Sequence, residues 1–345
     1  MAASFDFKKR LGSGYFGEVW RAVDLGLNSE CAVKCIPPDK VLNKSNFYQE
    51  AQVLKAAEHE NIVAVTEAGS LSDGRVYVVM ELLPNGSLED EAKGGYVPLS
   101  RAKRLMIDVL RGLKHAHDCN IVHRDIKPAN IMIGNNNEGK LSDFGLALPD
   151  LDLLDISAVK GYQYILHLAP EVEKFSQHTA LADIYACGVT LYRLVNGDSY
   201  LPSVTPSEAR RLATKGEFPD RSYYRGFVPA AFKKVINRAM EVDPAARYQS
   251  AEEMRRALEK VQISVDWDEN VFAGGKQWLG SAGDIRVLVE RMKGSDGSWS
   301  VTVKKGKEGK NMRRDNSMCS SGLSEGQAMR SAYRVLQRFT SGKVK

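Results

Sequence analysis

The chain has 345 residues, of which 43% are hydrophobic and 26% charged, and a formal net charge of +5. This is enough apolar material for about two globular domains. No apolar run approaches the roughly 18 residues that a membrane-spanning helix needs, and Met1 to Arg10 lacks the basic start and long apolar centre of a secretion signal, so a soluble, cytoplasmic protein is expected. Cys31, Cys35, Cys119, Cys187 and Cys319 show no zinc-ligand spacing and are expected to be reduced thiols.

From Phe5 to Cys35 the pattern is strand, glycine turn, strand, turn, strand: Phe5 and Phe7 alternate, then Val19, Arg21 and Val23, then Ala32, Val33 and Lys34. The turn reads Gly12-Ser13-Gly14-Tyr15-Phe16-Gly17-Glu18-Val19, where glycine lets backbone amides approach phosphate oxygens. A dinucleotide-binding turn would lead into a helix, but Val19 to Asp24 alternates like a strand. A Walker loop fails because Glu18 stands where its lysine belongs. A helix is predicted over about Ser45 to Ala57, with Val53, Leu54 and Ala57 on its apolar face. Glu50 shares that face, and a carboxylate turned to a core needs a cation; Lys34 is the expected partner. Val76 to Leu83 reads as a buried strand running into the turn Pro84-Asn85-Gly86-Ser87. Ser100 is expected to cap a long helix with Leu105, Val109, Leu113 and Ala116 at helical spacing. His115 and His117 near its end read as solvated or satisfied at the helix terminus.

That helix delivers His123-Arg124-Asp125-Ile126-Lys127-Pro128-Ala129-Asn130, and Asp143-Phe144-Gly145 follows a predicted strand pair, Ile131 to Ile133 and Lys140 to Ser142. Two acids, a lysine and an amide on two neighbouring turns suit a phosphate and its metal. Phosphoryl transfer needs an acid near the attacking hydroxyl, oxygen ligands for magnesium and a cation near the transferred group. Asp125, Asn130 with Asp143, and Lys127 supply these in turn.

Taken in order, the glycine turn, Ala32-Val33-Lys34, His59-Glu60-Asn61, the His123 to Asn130 string, Asp143-Phe144-Gly145 and Ala169-Pro170-Glu171 resemble the eukaryotic-type serine/threonine protein kinases over roughly Phe5 to Val261. The resemblance implies an α+β, bilobal fold, with a small antiparallel lobe over 1–82 and a mainly helical lobe over 83–262. It implies ATP and Mg2+ as cofactors and a protein as substrate. Asp125 would orient the acceptor hydroxyl and take its proton, with Lys127, Lys34 and Glu50 completing the catalytic set. Leu11, Gly12, Ser13, Gly14, Phe16, Gly17, Val19, Ala32, Lys34 and Met132 would surround the nucleotide, with Met80 as gatekeeper and the backbone of Glu81 and Leu83 pairing with adenine. Asn130 and Asp143 would hold the metal. His123, Asp183 and an Arg247–Glu171 pair are implied as architecture. Lys127, two residues after Asp125, favours serine or threonine over tyrosine as acceptor.

Two features depart from the family pattern. Gln163 and Tyr164 occupy the positions where a glycine and a threonine are expected before Glu171, and the segment from Gly145 to Glu171 contains no threonine, so Ser157 is the expected self-phosphorylation site. Beyond Val261 the composition changes. Residues 262–345 hold fifteen Lys and Arg against nine Asp and Glu, with three of the four tryptophans. Ile285, Val287 and Val289 alternate, as do Trp299, Val301 and Val303, with Gly294-Ser295-Asp296-Gly297 between them. Ser324 and Gln327 resemble a capping box opening a helix with Ala328, Ala332, Val335, Leu336 and Phe339 on one face. A small basic α/β domain over 263–345, a β-hairpin plus a C-terminal helix, is expected. Arg330, Arg334 and Arg338, beside the basic run Lys304 to Arg314, would serve a nucleic acid or acidic partner. The alternative to an active enzyme is a pseudokinase scaffold that binds nucleotide without transfer.

Overall fold

Alternation over the first 36 positions builds three antiparallel strands, β1 (Phe5–Gly14), β2 (Gly17–Asp24) and β3 (Ser29–Ile36). With β4 (Val65–Ser70) and β5 (Val76–Met80) they form a five-stranded sheet of order β1-β2-β3-β5-β4. The computed structural model describes residues 5–14, 17–38, 48, 51–52, 54–55, 57–93, 95–144, 162–172 and 178–343. Glu50, Phe16, Gly145 and Ser157 lie outside these residues, as does most of the predicted helix around Glu50, although Ala51, Leu54 and Ala57 are buried as its apolar face requires.

The larger lobe is helical: α1 (Leu88–Ala92), α2 (Leu99–Asp118), α3 (Tyr162–His167), α4 (Ala180–Asn196), α5 (Pro206–Thr214), α6 (Ala230–Ala239) and α7 (Ala251–Glu259). Helix α4 is buried continuously from Ala182 to Asn196, which places it at the centre, since a helix apolar on every side must be enclosed. The short pair β6 (Ile131–Ile133) and β7 (Gly139–Leu141) lies one residue earlier on its second strand than the sequence suggests. Val63 N–H donates to Leu141 O at 2.8 Å and Leu141 N–H to Asn61 O at 2.9 Å, so β7 is stitched to the exit of the small-lobe helix.

One expectation fails at α2. The helix starts at Leu99, after Pro98, and Ser100 sits inside its first turn. The Ser100 N–H donates to Asp266 Oδ1 at 2.9 Å and its hydroxyl to Asp266 Oδ2. A carboxylate 166 residues away does the capping, and a serine already inside the turn presents its own N–H to that cap.

The C-terminal region contains the expected hairpin, β10 (Ile285–Lys293) with β11 (Trp299–Lys307), but as the middle of a larger sheet. Six strands take part, in the order β12-β11-β10-β9-β8 with β13 also on β11; the others are β8 (Asp266–Phe272), β9 (Gly275–Ala282), β12 (Arg313–Arg314) and β13 (Ser320–Leu323). Helix α8 (Glu325–Thr340), opened by the capping box of Ser324 and Gln327, covers one face with Ala328, Ala332, Leu336 and Phe339. This core is continuous with that of the larger lobe. Among the described residues no helix is long and apolar enough to cross a membrane.

Candidate active site

The loop after α2 is fixed before any ligand arrives. Asp183, 1% exposed near the start of α4, accepts the His123 N–H at 2.8 Å, the Arg124 N–H at 2.9 Å and a bond with His117 Nε2 at 2.9 Å. His117 is therefore neither solvated nor catalytic, because it buttresses the acid that holds the loop. His115 stacks on His59 with ring centroids 5.0 Å apart. His123 is fully buried, and burial pushes its pKa down. The neutral ring spends both nitrogens: Nε2 donates to Ser142 O at 3.0 Å and Nδ1 accepts the Asp125 N–H at 3.3 Å. Its ring packs on Phe144 at 4.4 Å, so one imidazole locks the Asp125 turn to the Asp143 turn.

On this base the candidate residues converge. Lys127 Nζ donates to both Asp125 oxygens, at 2.9 and 2.7 Å. Asn130 Nδ2 donates to the Asp125 carbonyl and to its Oδ2, each at 2.8 Å, which fixes the amide and turns Oδ1 away from that carboxylate. Lys34 Nζ, from β3, donates to Asp143 Oδ1 at 2.8 Å. The Lys34 partner described is thus Asp143, with Glu50 outside the described residues. Burial would raise the Asp143 pKa, but Lys34 beside it and Lys127 beyond hold the carboxyl below its usual range. Asp143 sits at φ +55° and Arg124 at φ +71°, left-handed conformations that cost L-residues roughly 1–3 kcal/mol and occur where a site over-determines its backbone.

The roof of the cleft is the small sheet. Val19 pairs with Lys34, Lys34 with Val78 and Ala32 with Met80, so these residues share one face. Gly17 is required: its φ is +137°, and a Cβ there would lie 2.1 Å from the Cys35 carbonyl oxygen. A Cβ on Gly12 would meet no atom within 4 Å. Leu11, Gly12, Ser13 and Gly14 lie along β1 before the turn, and Met132 on β6 bridges Ser87 across the floor. Just past β5, where the chain crosses between the lobes, Glu81 gives its N–H to Ala64 O at 3.0 Å while its carboxylate accepts the Ala64 N–H at 2.9 Å and Lys140 Nζ at 2.7 Å. Among the described residues the Glu81 carbonyl, like the Leu83 backbone beyond it, has no partner and can meet a ligand edge.

Asn130 Oδ1 and Asp143 Oδ2 have no partner among the described residues. Two protein oxygens of this kind fit magnesium, which takes one or two protein ligands together with substrate phosphates. Glu81's tie to Lys140 was missed in the sequence, as was the His117–Asp183 bond, since neither pairing has a local signal. Arg247, 0% exposed, makes the implied bidentate pair with Glu171, both bonds at 2.7 Å.

In the C-terminal domain, Arg330, Arg334 and Arg338 are exposed along α8. Three lysines of the adjoining run are paired where they stand: Lys304 with Glu290 at 2.8 Å, Lys305 with Asp315 at 2.9 Å and Lys307 with Asp284 at 3.3 Å.

Residues 5–258 match the model of the protein kinase domain. A probable serine/threonine-protein kinase of Corynebacterium efficiens is 35% identical over 275 residues, covering 75% of this chain and 41% of that protein. The serine/threonine-protein kinase PknB of Mycobacterium leprae is 33% identical, with 73% and 42% covered, and PrkC of Bacillus subtilis 30%, with 74% and 40%. The chain thus spans about two fifths of the length of these relatives. Among solved structures, Rad53 residues 1–466 in complex with AMP-PNP superposes with a TM-score of 0.61 at 24% identity, covering 73% of this chain and 64% of that one, a likeness of fold. With the family model matched from β1 through α7 and relatives at this identity, the chain belongs to the protein kinase family.

Proposed function

We propose that this chain is an active serine/threonine protein kinase that transfers the γ-phosphoryl group of ATP to a protein hydroxyl. The observation that carries the reading is the cluster in which Lys127 and Asn130 both bond Asp125, while Lys34 bonds Asp143 across the lobes. ATP supplies the phosphoryl group, and magnesium held by Asn130 and Asp143 would neutralise its oxygens. Asp125 accepts the hydrogen bond of the incoming hydroxyl, aims its lone pair and takes its proton as the new P–O bond forms and the bond to ADP breaks. Lys127, next to Asp125, offsets charge on the transferred group. Lys34 positions the phosphates, with Glu50 as its proposed second partner, and the glycine turn, with Phe16 at its tip, covers them. Met80, Glu81 and Leu83 receive the adenine. An enzyme of this chemistry works where ATP and magnesium are abundant, which suits the cytoplasm.

Within this reading, residues 1–262 form the kinase unit and 263–345 an accessory domain. The partner is the protein substrate; with Lys304, Lys305 and Lys307 paired, the exposed Lys310, Arg313 and Arg314 of the basic run and the three arginines of α8 form the surface open to an acidic partner or nucleic acid. Self-modification at Ser157 belongs to the same proposal. Replacing Asp125 with Asn should lower transfer on the order of 10²-fold or more while leaving nucleotide affinity and folding intact. Mass spectrometry should find phosphate on Ser157 in the wild type and none in Asp125→Asn. Near-normal turnover in the variant would reject the assignment, and an unmodified, fully active wild type would reject Ser157.

A further inference from the structure

Residues 168–172, after α3, pass the catalytic loop without regular structure. Leu168 and Ala169 line one small cavity with Arg124, Asp125 and Ile126, so this stretch forms the wall beside Asp125. Its carbonyls lie outside the described helices and strands, that of Ala169 also accepting the Val172 N–H at 3.0 Å, and a backbone carbonyl short of partners beside packed structure is costly. Arg210, in α5, supplies the donors. Its Nη1 donates to Ala169 O at 2.7 Å and Leu168 O at 3.3 Å; its Nη2 donates to Pro170 O at 3.0 Å and to Val172 O. Four carbonyls within five residues converge on one guanidinium.

We propose that Arg210 is a positioning residue for the phosphoacceptor: by gathering these carbonyls it fixes the wall against which the acceptor segment lies when its hydroxyl reaches Asp125. The inference rests on the kinase reading above. Two other contacts hold the same segment, one of them from α5. Leu166 packs in a buried cluster with Ala209 and Phe218, and Glu171 at the far end is clamped by Arg247. The nucleotide end of the site depends on different bonds, those of Lys34 to Asp143 and of Asn130 to Asp125. Loss of Arg210 therefore bears on the acceptor and not on ATP. A lysine carries the charge but not the planar fork, so it would restore only part of the set.

The test uses the full chain as wild type, Arg210→Gln and Arg210→Lys. Hydrogen exchange of the amides from 165 to 172 should quicken about tenfold or more in Arg210→Gln, while those from 123 to 133 keep their protection. With the Asp125→Asn chain as phosphoacceptor, KM for that acceptor should rise about tenfold or more and KM for ATP should stay unchanged, with Arg210→Lys in between. A fall in kcat alone at unchanged acceptor KM is what a smaller folded fraction would give, and it overturns the proposal. Unchanged exchange over 165 to 172 also overturns it. A wild type that binds ATP but transfers nothing to the acceptor counts instead against the kinase reading, and the exchange comparison then still tells whether Arg210 holds the segment.

Discussion

Asp183 makes three bonds to groups that the catalytic loop needs in place, the N–H groups of His123 and Arg124 and the ring of His117. Burial pushes its pKa up, but His117 and His123 outweigh that and hold the carboxyl below its usual value near 3.8. A depressed folded pKa means that the charged group stabilises the fold above the unfolded pKa and loses that contribution as pH falls through the folded one. Asp183→Asn should therefore cost about 1–3 kcal/mol at neutral pH. In urea unfolding the gap to wild type should be present at pH 7 and at pH 5 and should close as the pH falls below about 4. A gap that stays undiminished well below about pH 4 would contradict the assignment. That Asp125, Asn130 and Asp143 would stand near one another was legible in the sequence, because the two turns that carry them follow at short spacing. The place of Arg210 was not, because its partners are a set of carbonyls 38 to 42 residues away that any sequence would supply.

Helix α2 carries the catalytic loop at its C-terminal end and meets the C-terminal domain at its other end. Its interior was readable, since apolar residues at helical spacing describe the buried face they form. Its cap was not, because Asp266 belongs to a strand that the sequence disguises. Asp-Trp-Asp-Glu-Asn-Val-Phe in β8 mixes acids with apolar residues. The acids are there to serve the lobe: Asp266 takes Ser100, and Glu269 takes Arg225. Strand β8 was hidden for this reason, while β10 and β11 alternate cleanly. Asp266→Ala should destabilise the protein by about 1 kcal/mol, the usual worth of a lost helix cap. The denaturation midpoint should shift with the m-value unchanged, and Ser100→Ala, which removes one of the two bonds, should cost less. Equal midpoints for wild type and Asp266→Ala would show that the contact caps nothing.

The two domains meet through a buried polar network rather than a tether. Arg225, 8% exposed, lies between the rings of Tyr96 and Tyr200, with its guanidinium carbon 4.2 and 4.9 Å from their centroids. Its Nη1 donates to Glu269 Oε1 at 2.5 Å, and Glu269 Oε2 accepts Trp278 Nε1 at 2.7 Å and Lys276 Nζ at 3.0 Å. Tyr96 Oη donates to Trp267 O at 2.6 Å and accepts the Glu269 N–H at 2.9 Å. From α8, Gln337 Nε2 donates to Gly226 O at 3.0 Å, and Tyr333 leaves no room for a Cβ on Gly226. A network satisfied to this degree fixes one arrangement of the two parts, and breaking it strands a buried charge. Glu269→Ala leaves Arg225 without its carboxylate and should cost about 3–5 kcal/mol, whereas Arg225→Met with Glu269→Met, which buries no unpaired charge, should recover much of that loss. Three of the four tryptophans lie in the C-terminal domain, so fluorescence follows that domain, while far-UV circular dichroism is dominated by helices of the larger lobe. For the wild type the two transitions in urea should coincide, because the shared core and network make the parts unfold together. In Glu269→Ala they should separate, fluorescence changing first. Separate transitions already in the wild type would mean that the C-terminal domain is stable apart from the lobe it rests on.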